Sequence, residues 1–479
     1  MTGTAEATAT TVDMPPDELR LNDLGNARLL VQLHGKDLRW CGAMPGTGWM
    51  VWDGSRWRPD DTKLVTRLAS QLGAEWRDRA PPEIDDPIGL DERVAMLQKR
   101  RKAMLKHADR TESAGGIRAA VELATAHPDI AVPKDVWDKD LWKFNTPDRT
   151  YDLDRMRSSR PNQADYITRC ARVGADRSDC PTWKRFLTAI MGGDEELVAF
   201  LQRAVGYSLS GSIQEQKMFI CYGKGANGKS TFMDTISYIM GDYATTTPVD
   251  TFINRREGSI PNDLAALAGV RLVTCSEGTE GGVLEEGLIK LVTGGDPIAA
   301  RFLGKEFFHF IPAFKLWFLT NHKPIIRGSD EGVWRRPLLI PFTVTIPKDQ
   351  RNRDLPKILR GEACGIMQWA LEGLKEWRRI GLAPPLVVTQ ATDAYREEMD
   401  VLADFLADCC EVDENGLQVS RASNKEVYAR YCAWAKEQGL RQQSHRWLSR
   451  SLVDRGYVQD KSRNDGQRWW LGFSLRRIL

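Results

Sequence analysis

Paired cysteines are missing from this chain. Its nine cysteines, Cys41, Cys170, Cys180, Cys221, Cys275, Cys364, Cys409, Cys410 and Cys432, form no C-x-x-C pair and are odd in number. That pattern excludes a disulfide framework as the organising device and suits reduced thiols. Histidine is scarce too: six are dispersed without zinc-type spacing to the cysteines, so no metal site made of protein ligands alone is expected. No apolar run approaches membrane-spanning length. Met1 to Asp17 is rich in Thr and Ala with acidic residues, and has no basic-then-apolar order. The expectation is a soluble, cytoplasmic protein with no membrane partner. An excess of one charge is also missing, since the formal net charge is only +2. Composition by itself announces no polyanionic partner.

What is present is unevenly arranged. With 479 residues and 42% hydrophobic content, the chain exceeds what one core serves and should form about three structural units. Residues 1–19 read as a disordered tail, small, polar and without periodicity. Residues 20–80 read as a small α+β unit, with Leu24 to His34 as a helix and Trp49 to Arg58 as a hairpin turning at Asp53-Gly54. Its three tryptophans suit a packed core, the simpler reading, or a base-stacking platform. Residues 81–182 read as a linker and a helical region, where Glu92 to Arg110 carries Lys99, Arg100, Arg101, Lys102 and Lys106. A solvated basic face is the simpler account of that run, and nucleic-acid contact is the alternative.

From Trp137 to about Gln214 the pattern predicts mostly helix. Residues 183–345 then alternate short apolar runs with helices, the rhythm of a parallel α/β sheet, with Met218 to Tyr222, Arg271 to Cys275 and Leu316 to Thr320 as strands. Residues 346–410 read as helical: Leu355 to Arg379, a break from Gly381 to Pro385, then Tyr395 to Cys410. In 411–479 the pattern predicts two helices and a hairpin turning at Asn464-Asp465-Gly466, the order of a winged helix. From Arg421 to Leu479, 13 Lys plus Arg stand against 5 Asp plus Glu. Arg446 and Arg450 fall on one helical face, and Lys461, Arg463 and Arg468 on the wing. A protein-binding winged helix competes with this reading, but the local charge favours DNA.

The densest signal is Gly223-Lys224-Gly225-Ala226-Asn227-Gly228-Lys229-Ser230, entered from an apolar run and followed by a helix opening at Thr231. This is the complete pattern of a loop that aims backbone N–H groups and a helix dipole at phosphates. Lys229 is expected to neutralise the terminal phosphates of a nucleoside triphosphate, and Ser230 to hold Mg²⁺ arriving with it. Such a loop needs an acid nearby to polarise water and share the metal. Glu277, just past the apolar run Leu272 to Thr274, is the candidate, with Glu280 as a helper. Asn321, ending the run Leu316 to Thr320, is expected to contact the γ-phosphate and water, or else to cap a turn. Arg335 and Arg336 could reach a phosphate across a subunit boundary, although surface ion pairing would explain either alone.

The ordered set of that loop, Ser276-Glu277, Lys290 with Gly294-Gly295-Asp296, Phe314-Lys315 through Thr320-Asn321-His322-Lys323-Pro324, and Trp334-Arg335-Arg336 resembles superfamily 3 helicases, most closely the phage and plasmid primase-helicase family. Phe144-Asn145-Thr146-Pro147 with Asp152-Leu153 resembles that family's pre-helicase domain, and Glu362, Gly365-Ile366 and Trp369-Ala370 its post-core helices. About residues 22–479 are covered. The resemblance implies an α/β fold: a P-loop, AAA+-like ATPase core with a mainly helical amino-terminal region and a carboxy-terminal winged helix. It implies ATP and Mg²⁺ as ligands, a hexameric ring, single-stranded and forked DNA as partners, and 3′ to 5′ translocation in a phage, prophage or mobile-element replication system, with a primase or polymerase partner. Catalytic roles carry over to Lys229, Glu277, Asn321 and Arg335 or Arg336, nucleotide contacts to Gly223 through Thr231, and Mg²⁺ to Ser230 and Glu277. Lys305, at the apex of a strand-turn-strand from Ile298 to Phe310, and Arg301 would grip the DNA backbone. Two departures stand out: one acid where relatives carry two, and no separate primase domain ahead of the helicase, so primer synthesis is not expected. An ATP-regulated, origin-binding initiator is the second reading, and a small-molecule kinase a third that leaves the basic carboxy-terminal segment without purpose.

Overall fold

The computed structural model describes residues 19–44, 46–84, 92–253, 262–276, 282–302, 307–328, 330–413, 419–439, 442–461 and 467–476. The chain divides into two compact units. The first is Met1–Asp140, Asp148–Thr150 and Ser159–Arg169; the second is Leu141–Pro147, Tyr151–Ser158 and Cys170–Leu479.

The first unit opens with α1 (Asp23–His34), started by the Asn22 side chain, which accepts from the Gly25 N–H at 2.9 Å. An antiparallel sheet follows, β1 (Leu38–Trp40), β2 (Trp49–Trp52) and β3 (Trp57–Pro59). Asp53 turns the β2–β3 hairpin by accepting from the N–H groups of Ser55 and Arg56, both at 2.9 Å. Trp49 and Trp57 are buried, and Trp57 packs with Cys41, Met50 and Trp137. Two of the three hairpin tryptophans are therefore core residues, in line with the simpler reading, and Trp52 is half-buried. Four helices complete the unit: α2 (Leu64–Ser70), α3 (Leu72–Asp78), α4 (Glu92–Thr111) and α5 (Ala114–Ala124). Leu29, Leu30, Leu72, Met104, Ala108 and Ala120 join them in one core.

Three short strands then follow, β4 (Lys143–Asn145), β5 (Thr150–Asp152) and β6 (Arg157–Ser159). They correct the expectation of mostly helix from Trp137 onward. Asp152 accepts from the N–H groups of Asp154 and Arg155, and such local side-chain turns outbid helix at Asp. Helices α6 (Pro181–Ile190) and α7 (Glu195–Leu209) come next, as the periodicity predicted.

The second unit is built on a five-stranded parallel sheet: β7 (Met218–Tyr222), after which comes α8 (Lys229–Met240), β8 (Ala244–Thr246), α9 (Asn262–Ala265), β9 (Leu272–Ser276), α10 (Glu286–Gly294), the antiparallel pair β10 (Ile298–Ala300) and β11 (Phe308–Phe310), β12 (Lys315–Thr320), α11 (Glu331–Trp334) and β13 (Pro337–Pro341). The strand order is β13-β7-β12-β9-β8. Both faces are covered, which is why these strands read as continuous apolar runs. Phe219, Cys221 and Trp317 face the core shared with α6, α7 and α8, whereas Met218, Ile220, Leu316 and Phe318 face the core shared with α10 and α11.

Helices α12 (Leu355–Gly361), α13 (Ala363–Ile380), α14 (Leu386–Glu398) and α15 (Val401–Cys409) follow. The single helix expected from Tyr395 to Cys410 is thus two. Asp400 caps α15 by accepting from the Ala403 N–H at 3.1 Å, and so breaks the run. The chain ends with β14 (Cys410–Val412), β15 (Arg421–Ser423), α16 (Asn424–Glu437), α17 (His445–Asp454), β16 (Val458–Lys461), β17 (Arg468–Leu471) and β18 (Phe473–Leu475). The expected two-stranded hairpin gains a third strand, because β15 pairs with β17 to give the order β15-β17-β16. No described helix is long and apolar enough to cross a membrane.

Candidate functional site

Parallel pairing brings the carboxyl ends of β7, β12 and β9 to one edge of the sheet: Thr320 stands opposite Tyr222, and Leu319 opposite Ser276. The glycine-rich run leaves β7 at that edge. Ala226 and Gly228 take left-handed backbone angles, φ 62° and 83°. A Cβ at Gly228 would lie 2.6 Å from Cγ2 of Ile190, and one at Gly223 would collide with the Phe342 carbonyl. Only glycine permits these approaches. Asn227, 3% exposed, ties the loop down: its Nδ2 donates to the carbonyls of Lys224 at 2.5 Å and Phe342 at 3.1 Å. The Ala226 carbonyl accepts from the Ile346 N–H at 2.8 Å. The outer side stays open, since a Cβ at Gly225 would meet nothing within 4 Å.

Lys229 begins α8 with its side chain buried. Its ammonium donates to the Gly223 carbonyl and to Oδ1 of Asn321, the latter at 2.9 Å. A cation at the positive end of a helix dipole favours an anion beside it. Lys224 and Ser230 are exposed, and Thr231 is half-buried. Glu277 and Glu280 lie outside the described residues, as do Lys305 and Arg463.

The two arginines sit at the other end of the sheet. Arg336 directly precedes β13, and its carbonyl accepts from the Met218 N–H where β7 begins. The strands are five residues long, so at about 3.3 Å per residue roughly 16 Å separates the arginines from the loop of their own chain. Their environments differ. Arg336 is 5% exposed, with Nε on Thr293 Oγ1 at 2.7 Å and further donations to the carbonyls of Gly332 and Lys290. Burial, more than the neighbouring Arg335, pulls its pKa down. Arg335 is exposed and held lightly, by Oε1 of Gln216 at 2.7 Å. Lys290 is engaged with Asp330 at 2.8 Å.

Arg301 is exposed beside the β10–β11 pair, its guanidinium 4.8 Å from the ring centroid of exposed Phe307. Arg446 and Arg450 lie exposed on α17, and Lys461 and Arg468 are exposed and paired directly across β16 and β17. Like charges in that relation repel.

Two cations named in the sequence reading were given no role there. Lys315 is 1% exposed and donates to the carbonyls of Ser210, Ser212 and Ala313. Arg271, 5% exposed, donates to the carbonyls of Leu209 and Lys143. Together they satisfy the end of α7 and the turn after it. Burial first, and Arg271 second, push the Lys315 pKa well below the usual lysine value. A lysine opening an otherwise apolar strand was the available signal.

The family described as "D5 N terminal like" matches residues 27–192, and a family of unknown function, DUF5906, matches residues 221–336. The chain is 32% identical over 234 residues to "Putative helicase L207/L206" of Acanthamoeba polyphaga mimivirus, which covers 45% of this chain and 24% of that protein. It is 26% identical over 264 residues to "Putative helicase 022R" of Frog virus 3, covering 50% and 26% respectively. The chain thus spans about a quarter of the length of these relatives. Among solved structures, the apo C-terminal region of NrS-1 aligns at 12% identity and a TM-score of 0.37, covering 63% of this chain and 77% of that one. Its two family matches and its helicase-named viral relatives support the resemblance of this chain to the phage-type superfamily 3 helicases of the primase-helicase family.

Proposed function

We propose that the protein is an ATP-dependent replicative DNA helicase that works as a hexameric ring. The carrying observation is the 2.9 Å contact between Lys229 and Asn321 across two adjacent strand ends. It joins the phosphate-binding lysine to the amide that senses the γ-phosphate. The loop from Gly223 to Thr231 cradles the triphosphate. Ser230, exposed at the start of α8, and Glu277 are the residues that hold Mg²⁺. That ion supplies charge neutralisation between phosphates. Glu277 polarises the attacking water, and Asn321 orients it.

The arginine finger is Arg335, acting on the site of a neighbouring subunit. Its exposure and single described side-chain partner leave it free to move, whereas Arg336 is committed to buried acceptors. Arg336 is a positioning residue, and the distance from both arginines to their own loop favours action in trans. Arg301 and Lys305 follow the DNA backbone in the channel, with translocation 3′ to 5′. The carboxy-terminal α16, α17 and three-stranded sheet act as a winged helix that binds DNA through Arg446, Arg450, Lys461, Arg463 and Arg468. The like-charged Lys461–Arg468 pair supports an anionic partner there.

ATP turnover with and without single-stranded DNA tests the reading. Hydrolysis stimulated by the strand is expected, and a rate indifferent to DNA at low salt with Mg²⁺ contradicts it. The initiator reading keeps one supporting observation, the basic carboxy-terminal face. Footprinting on the element's own DNA discriminates, since sequence-specific protection lost on removing 421–479 favours it.

A further inference from the structure

We propose that the exposed basic stripe along α4, Lys99, Lys102 and Lys106, is a docking surface for the phosphate backbone of duplex DNA, an inference that rests on the helicase reading for the presence of DNA. From Glu92 to Arg100 every residue except Val94 is exposed, and Met96 is 72% exposed. Only the second half of the helix is anchored, through Met104, His107, Ala108 and Thr111. The first half touches the preceding chain on one side, where Gln98 Nε2 donates to the Ile84 carbonyl at 2.9 Å and Arg101 to the Pro81 carbonyl at 2.7 Å.

A half-helix with so little packing is marginal in water, and its own charges oppose it. Lys99, Lys102 and Lys106 follow at i, i+3 and i+7, one stripe about 10 Å long at 1.5 Å per residue. Among the described residues Lys99, Arg100, Lys102 and Lys106 form no ion pair, whereas Arg101 pairs with Glu83 at 3.6 Å. Repulsion along such a stripe is relieved by a polyanion. The chemistry favours duplex over single strand. Single-strand sites add aromatic stacking platforms, and α4 carries no Phe, Tyr or Trp. Duplex DNA presents one charge per about 1.7 Å of axis, twice the density of either strand alone.

The test is fluorescence anisotropy of full-length protein with a blunt duplex and with a single strand of equal length, titrated with salt. The comparison is wild type against Lys99→Gln/Lys102→Gln/Lys106→Gln. Glutamine keeps helix propensity, and far-UV circular dichroism checks the fold. About three lost phosphate contacts lower the magnitude of the duplex slope of log K against log salt by roughly 2 to 3, with the single-strand slope unchanged. The triple arginine variant retains the wild-type slope. An unchanged duplex slope, or an equal fall for the single strand, overturns the inference while leaving the helicase reading intact. Wild-type protein that binds neither DNA overturns both.

Discussion

The ammonium of Lys229 lies 2.9 Å from Oδ1 of Asn321, although 92 residues separate them in the chain. Parallel pairing of β7 with β12 creates the contact by holding Tyr222 opposite Thr320. The residue expected to bind phosphate and the residue expected to sense it are therefore one hydrogen-bonded unit. Asn321→Ala should lower ATP turnover on the order of 10² to 10³, the cost of removing one preorganised donor, with nucleotide affinity little changed. Steady-state hydrolysis beside equilibrium nucleotide binding checks this, and full turnover in the variant removes Asn321 from the site.

Arg335 and Arg336 should separate cleanly. Arg335→Ala keeps the wild-type melting temperature and loses hydrolysis. Arg336→Ala leaves the carbonyl of Gly332 without its Arg336 donor and removes the bond to Thr293, whose hydroxyl keeps only the Ile289 carbonyl, costing about 1–3 kcal/mol of stability. Mixing Arg335→Ala with Lys229→Ala protein should recover activity, because some interfaces then pair a sound loop with a sound finger. No recovery at any ratio removes the trans assignment.

Lys315 gives a stability prediction at the sheet's other end. Lys315→Met leaves the carbonyls of Ser210, Ser212 and Ala313 without their donor, and leaving buried acceptors unsatisfied costs about 1–3 kcal/mol. Chemical denaturation of both proteins measures it. A variant as stable as wild type shows that the lysine is dispensable.

His107 makes the first unit acid-sensitive. Its Nε2 lies 2.8 Å from Oδ1 of Asn26, which also accepts from Trp76 Nε1 at 2.7 Å. Burial, reinforced by Arg110 and opposed by Asp23, lowers its pKa below the ordinary 6.5. The folded state thus binds the proton less readily than the unfolded one. Stability is fully present above pH 6.5 and declines as pH falls through that value towards the lowered folded pKa. Thermal melts between pH 7.5 and 5 should show the decline in wild type and a shallower one in His107→Gln. Parallel profiles would assign the acid sensitivity to other groups.

Much of this site was legible in the sequence because each signal is local. The loop residues and Asn321 end apolar runs, and strand, turn and helix chemistry fixes their surroundings within a few positions. Strand order is not local, so which two ends become neighbours emerges only from pairing. Burial separates Arg335 from Arg336, and adjacent residues of one type carry no such information. The strands from Lys143 to Ser159 and the break at Asp400 were missed for a related reason. In both, an aspartate side chain competes with the helix for backbone N–H groups, and a periodic apolar pattern does not register that competition.

The central claim is that ATP hydrolysis at the Lys229 site drives strand separation. Unwinding of a forked duplex by wild type and by Lys229→Ala, with ATP and Mg²⁺ at low salt, tests it most directly. The account predicts unwinding by wild type and none by the variant, with both proteins still binding the fork. Equal unwinding by the two proteins, or none by either, would contradict it.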